Sequence, residues 1–262
     1  MPDHTHRTFA AEIVAARQGR TTTTQPTIRD PAFSIEDGYR VGGRVTASAL
    51  AEGARIVGYK LGLTNRDVWP VLGVDAPFWA PMFDTGILPS NRLDASAFVA
   101  PRVELEVLVG LSAPLGPGAG VSEVLDAIAW AAVSFEIVDS HYPEWKAAPA
   151  DLIADHGCHA GVLVGEQVPG ERPLLLALDT LALELTCDGA SVAQAAGSLV
   201  LGSPVHALEG LLQVPGAPAL RAGDLISTGA LTGRSHPIQR GEQWTASHLG
   251  GPLLPLPTLE IV

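Results

Sequence analysis

The alternation of apolar and polar positions is sharpest over residues 101–110, PRVELEVLVG. Side chains on a strand point alternately to its two faces, so residues two apart share a face. Val103, Leu105, Val107 and Val109 form one apolar face, and Glu104 and Glu106 fall together on the other. Two like charges about 7 Å apart on one sheet face repel, so solvent, a base or a cation has to offset them. A second strand pattern, VSFEIVDS, sets Phe135 and Ile137 on one face and Ser134, Glu136 and Val138 on the other. A third, RIVGYKLG over 55–62, ends close to Lys60.

The rest of the chain reads more coarsely. Residues 8–19 have a helical period opened by Thr8, and TTTTQPTIRDP is a polar connector. Residues 34–53 predict a second helix with Ser34 and Asp37 as a variant capping box, although Gly38, Gly42 and Gly43 weaken it. The segment 65–90 carries four prolines and reads as a long functional loop. Ser122 is expected to cap a helix running to about Ala132, and 141–161 is expected to be irregular. Further on, Asp188-Gly189 signals a hairpin, GSPVHALEGLL a short helix, and AGDLISTGAL and EQWTASHLGGPL strand-and-turn units. These elements predict an α+β chain, with a small N-terminal α/β region over 1–60 and a β-rich body over 61–262.

Composition narrows the classes. The chain has 262 residues, 47% hydrophobic and 17% charged, which suits a substantial core and not a disordered chain. A net charge of −12 disfavours nucleic acid and anionic membrane as partners. It leaves room for an anionic substrate, because a bound cation reverses the local potential. Two cysteines, Cys158 and Cys187, give no disulfide framework and no zinc spacing, and read as reduced thiols of a cytoplasmic protein. The N-terminus lacks a secretion-signal pattern, and no apolar run is long enough to predict a membrane span.

Glu104, Glu106 and Glu136, each flanked by β-branched or leucine residues, are candidates for a buried acidic cluster. Burying unpartnered carboxylates costs several kcal/mol each, and a hard cation such as Mg²⁺ or Mn²⁺ would satisfy all three. The plainer alternative is a set of solvent-facing acids on half-exposed strands, and the residues alone leave both open. Lys60 is likewise either a surface lysine or one in a tight apolar site, where a lowered pKa suits acid-base work or anion binding.

The motifs GYKLGLTN, LGVDAP, PRVELEV, FEIVDSHYPEWK, LIADHG and RAGDLISTGALT occur in this order. With them the sequence resembles the vinylpyruvate (2-keto-4-pentenoate) hydratase and 4-oxalocrotonate decarboxylase family of the fumarylacetoacetate hydrolase superfamily, from about residue 26 to the end. The resemblance implies a mixed β-sheet, barrel-like body, a homo-oligomer, and a small-molecule 2-keto acid substrate bound to Mg²⁺ or Mn²⁺. Association with a partner enzyme of the same pathway is open. Glu104, Glu106 and Glu136 match the metal ligands and Lys60 the active-site lysine. Leu61 and Gly62 match backbone lying against the keto acid, and Thr228, Leu231 and Thr232 match the substrate-binding strand.

The implied reaction is a lyase step through an enolate that the metal would stabilise: decarboxylation of a 2-oxo-enedioate, or hydration of a 2-hydroxy-2,4-dienoate. Many hydratases of the family carry P-D-F-G after GVD, where this chain reads GVDAPFWAP, with Phe78 in place of the Asp. That substitution and DSHY over 139–142 lean toward decarboxylation. The family's ADNAS loop appears as ADHGCHAG, with Asp155 kept, His156 for Asn, Cys158 for Ser and His159 at a position that is usually Ser or Cys. His156 is expected either to transfer a proton or merely to replace an amide hydrogen bond. His159 is a candidate substrate contact, and Asp155 a candidate for orienting the loop or Lys60. A hydrolase cleaving acylpyruvates, with His156 or His159 as base, is the remaining enzymatic alternative.

Overall fold

The computed structural model describes residues 3–262. Its centre is an eight-stranded sheet with the spatial order Phe78–Phe83, Ile56–Gly62, Leu225–Ala230, Pro101–Leu111, Ile128–Asp139 and His159–Leu163. Two short strands, His236–Pro237 and Val168–Pro169, add to Pro101–Leu111 and Ile128–Asp139. Ile56–Gly62 and Leu225–Ala230 run parallel, and the other pairings in this sheet are antiparallel. The chain leaving one edge strand bridges the other through Ile87 and Val162, and Leu88 N donates to Val162 O at 2.9 Å. The sheet therefore curls into a half-barrel with an inner and an outer face. A division at residue 60 falls inside Ile56–Gly62, a strand of this sheet.

The outer face carries the main core. Val103, Leu105, Val107 and Val109 pack there with Phe135 and Ile137, against a five-stranded sheet and the helix Pro204–Gln213. That second sheet has the order Arg92–Leu93, Leu259–Ile261, Gln243–Gly250, Ala182–Cys187 and Ala190–Ala196. Its hairpin turns at Asp188 and Gly189, both with positive φ (50° and 79°), as the Asp-Gly signal predicts.

A helical layer covers one side of the half-barrel. It contains Asp3–Gly19, Ile35–Ala51 and Pro149–Ala154, joined by Phe9, Ile13, Phe33, Val41, Val45 and Ala154. The first helix begins at Asp3, so Thr8 lies inside it and bonds back to His4 O. Ser34 and Asp37 form the expected capping box. The glycines that weaken the second helix on propensity have a packing reason. A Cβ on Gly38 would meet Ala150 O at 2.5 Å, and one on Gly42 would meet Ile153 O at 2.8 Å. Only hydrogens there let this helix approach Pro149–Ala154 closely.

Three elements differ from expectation. The helix expected from Ser122 to about Ala132 spans Val121–Ala127, with Gly120 N bonded to Glu123, and the strand begins at Ile128. The proline-rich segment 65–90 contains the edge strand Phe78–Phe83, which tolerates Pro81 because only one side of an edge strand is paired. The irregular stretch 141–161 contains the helix Pro149–Ala154. No helix of the described residues is long and apolar enough to cross a membrane.

Candidate functional site

Strand register builds the site on the inner face. Glu104 pairs directly with Glu136, and Glu106 lies two residues further on the same side. Lys60 pairs with Ala80 on the neighbouring edge strand, so Phe78, Ala80 and Met82 share its face. Met82, Leu108 and Val162 make an apolar floor behind the acids. One carboxylate oxygen from each glutamate lies within 4.8 Å of the other two. Glu106 and Glu136 are fully buried and Glu104 is half-buried. Glu104 faces an opening of about 90 Å³ shared with Gly62, Thr64, Asn65 and Gly233.

Hydrogen bonding divides the oxygens of the two buried acids. Glu106 Oε2 accepts from Ser227 Oγ and, at 3.0 Å, from Gly229 N. Glu136 Oε1 accepts from His159 Nδ1 at 2.8 Å and faces Lys60 Nζ at 3.3 Å. Glu106 Oε1 and Glu136 Oε2 are buried with no partner among the described residues. Two fixed carboxylates each offering one bare oxygen, beside a third, make a donor set of the kind a hard divalent cation takes. Without one the cluster resists ionisation. Burial, with the neighbouring carboxylates, pushes Glu106 up to about 8 and Glu104 and Glu136 up to about 7, against the pull of Lys60.

Lys60 is buried, and burial alone would lower its pKa. The charges of Glu136, Glu104 and Glu106 outweigh burial and hold it above the ordinary lysine value, so the ammonium stays charged. This is opposite to what an apolar site alone gives. Its Nζ sits 5.8 Å from the centre of the Phe78 ring and 3.4 Å from Gly157 O.

Gly157 belongs to a left-handed turn. His156, Gly157 and Cys158 have φ of 52°, 62° and 58°. This conformation costs an ordinary residue about 1–2 kcal/mol. The surroundings enforce it. A Cβ at Gly157 would meet Phe78 at 2.6 Å and the Lys60 side chain at 3.1 Å. Asp155, just before the turn, is held by Arg17 Nη1 at 2.7 Å and His141 Nδ1 at 2.8 Å. Burial alone would raise Asp155, but Arg17 and His141 keep it below the usual carboxylate range.

Not every candidate reaches the acids. His156 turns away, its Nε2 lying 3.0 Å from Thr46 Oγ1 and 3.1 Å from Gly42 O. Burial and the Arg17 charge lower it to about 3, so it is a neutral anchor of the turn on the second helix. His159, also lowered to about 3 by burial and the Lys60 charge, contacts Glu136. Asp155 holds the turn through Arg17 and His141. Leu61 and Leu231 point into the main core. Thr228 donates to Val107 O at 2.8 Å and Thr232 to Arg234 O at 2.7 Å. Within STGALT it is Ser227, through its hydroxyl, and Gly229, through its backbone N–H, that touch an acid. Sequence reasoning missed Ser227, Gly229 and Arg17. Strand alternation could have found Ser227 once its register against Leu108 was known.

Comparison with known proteins fits this geometry. Residues 83–250 match the model of the fumarylacetoacetate (FAA) hydrolase C-terminal family. The chain belongs to the fumarylacetoacetate hydrolase family. Within it, a 2-hydroxyhexa-2,4-dienoate hydratase of Comamonas testosteroni is 32% identical over 230 residues, 86% of each chain. A 4-oxalocrotonate decarboxylase of Pseudomonas sp. (strain CF600) is 30% identical over 225 residues, 84% of each. The solved structure of 4-oxalocrotonate decarboxylase from Pseudomonas putida G7, complexed with magnesium and adipate, superposes with a TM-score of 0.92 at 26% identity. It covers 100% of this chain and 99% of that one. These family relatives are lyases, and the half-barrel seen here is that of the decarboxylase.

Proposed function

We propose that this fumarylacetoacetate hydrolase family chain is a metal-dependent lyase that removes CO₂ from a 2-oxo-enedioate, using Mg²⁺ or Mn²⁺ held by Glu104, Glu106 and Glu136. The observation that carries this reading is one inner face bearing three acids with two bare oxygens, a charged Lys60, and an apolar Phe78 beside it. When bound, the cation supplies a Lewis acid that turns the 2-oxo group of the substrate into an electron sink.

The chain's own residues do the remainder. Lys60 Nζ, aimed by Glu136 and Gly157 O, attracts a substrate carboxylate and donates a proton to the carbon that CO₂ leaves. Phe78 shields the ammonium from water. Its ring also disfavours a buried carboxylate anion relative to neutral CO₂. The inward residues of that edge strand, Phe78, Ala80 and Met82, carry no acid or base to activate water.

Hydration of a 2-hydroxy-2,4-dienoate is the second reading, favoured by the identity to the Comamonas hydratase. Acylpyruvate cleavage fits less well, because His156 Nε2 is bonded to Gly42 O on the second helix and His159 Nδ1 to Glu136. We also assign the chain to the cytoplasm as a homo-oligomer, able to associate with an enzyme of the same pathway; its two free thiols support the compartment, and light scattering reads the oligomer.

The deciding experiment supplies the Mg²⁺-loaded protein with 2-oxohexenedioate and, separately, with 2-hydroxypenta-2,4-dienoate. Faster CO₂ release than dienoate consumption is expected. The reverse order selects the hydratase, and turnover of neither overturns both.

A further inference from the structure

We infer that His159 is a positioning residue that fixes Glu136 with its bare oxygen toward the cation, and that Arg17 fixes His159 in turn. This rests on the cation proposed above. A carboxylate can rotate about its last torsion and exchange its two oxygens, because that torsion is broad and two-fold. Glu106 is prevented from doing so partly by backbone, through Gly229 N. Glu136 has only side chains to hold it, His159 Nδ1 at 2.8 Å and Lys60 Nζ at 3.3 Å, both on Oε1.

The two do different work. Lys60 is a point charge on a flexible stem and sets no orientation. The imidazole of His159 is planar and buried, and its Nε2 has no partner among the described residues. The bond to Glu136 is therefore the ring's one polar tie. His159 is itself held at the backbone, where its carbonyl accepts from Arg17 Nη2 at 2.9 Å. The same guanidinium reaches Asp155 Oδ1 at 2.7 Å and Asp155 O at 3.3 Å, clamping both ends of the left-handed turn. The first helix thus bears on a proposed cation ligand through one arginine and one histidine.

The test measures Mn²⁺ affinity of the chelator-stripped full chain by electron paramagnetic resonance, with the melting temperature in chelator as a check on folding. His159→Ala is expected to bind Mn²⁺ about 10- to 100-fold more weakly than wild type. His159→Asn, which keeps an N–H donor near the Nδ1 position, is expected to regain most of that loss. A merely structural role would not distinguish the two in this way. Arg17→Lys, which cannot make both contacts at once, is expected to weaken Mn²⁺ binding as well and serves if His159→Ala fails to fold. Wild-type affinity in His159→Ala, or an Asn variant as weak as the Ala variant, overturns the His159 role. Unchanged affinity in Arg17→Lys overturns the Arg17 step. If wild type takes up no Mn²⁺, the proposed cation fails and this inference with it.

Discussion

The two faces of the strand Pro101–Leu111 are buried for opposite reasons. On the outer face, Val103, Leu105, Val107 and Val109 are each at most 1% exposed and contribute to the main core. On the inner face, Glu104 and Glu106 lie beside Glu136, and Glu106 Oε1 and Glu136 Oε2 are buried with no partner among the described residues. One face stabilises the fold by removing apolar area from water. The other leaves buried carboxylate oxygens without partners, which opposes the fold unless they are neutralised. The same period-two pattern encodes both, which is why acids that look like a wet face instead line the inner face of the half-barrel.

Changing each face in turn tests that contrast. On the inner face, Glu106→Gln should lower cation-dependent turnover by about a thousandfold or more, since it removes a ligand charge from a three-acid set. Gln still offers an oxygen to Ser227 and Gly229, so melting in chelator should not fall. Loss of turnover with an equal loss of stability would break the contrast. On the outer face, Leu105→Ala should cost about 2–5 kcal/mol in denaturant unfolding while the folded fraction keeps its Mn²⁺ affinity.

Phe78→Asp should slow CO₂ release by about a hundredfold, because a new carboxylate beside Lys60 displaces the ammonium. Steady-state assay of CO₂ against dienoate hydration reads it, and a gain in water addition would favour a hydratase ancestry.

The pH dependence of stability follows from the same acids. A carboxyl whose pKa is higher folded than unfolded keeps its proton in the folded chain, so stability falls as pH rises through that interval. For Glu104, Glu106 and Glu136 the interval runs from the usual 4.5 to about 7 or 8. His156 and His159, lowered from 6.5 to about 3, have the opposite sign below 6.5, where the unfolded chain binds the extra protons. Between pH 6.5 and about 8 the acids alone among these groups act. The melting temperature of chelator-stripped protein should fall over that range, and saturating Mg²⁺ should flatten the slope. A slope that rises, or that ignores Mg²⁺, contradicts the cluster.

The smallest effect belongs to the helical layer. Gly43→Ala, with nothing within 4 Å of its added Cβ, should raise stability by about 0.5–1 kcal/mol. Gly42→Ala, at the adjacent residue but facing Ile153 O, should lower it. Thermal melts of the pair give the two signs.

Much of the site was legible because it rests on local periodicity. The spacing of Glu104 and Glu106 put two acids on one face and the pattern of VSFEIV made Glu136 a third candidate, while the pairing of Glu104 with Glu136 is what brings the three together. What escaped depends on contacts between distant segments. Arg17 meets Asp155 across 138 positions of sequence. Ser227 and Thr228 are adjacent, and only the register against Leu108 decides which of them faces Glu106. The direction of His156 depends on a left-handed turn that neither His nor Cys favours. Phe78–Phe83 was hidden by Pro81 and the prolines that flank it, and an edge strand accommodates Pro81.

Crystals grown with Mn²⁺ and oxalate, examined by anomalous diffraction at the manganese edge, test the central claim directly. The account predicts one peak contacting Glu104, Glu106 Oε1 and Glu136 Oε2. A peak elsewhere, or none at saturating Mn²⁺, would contradict it.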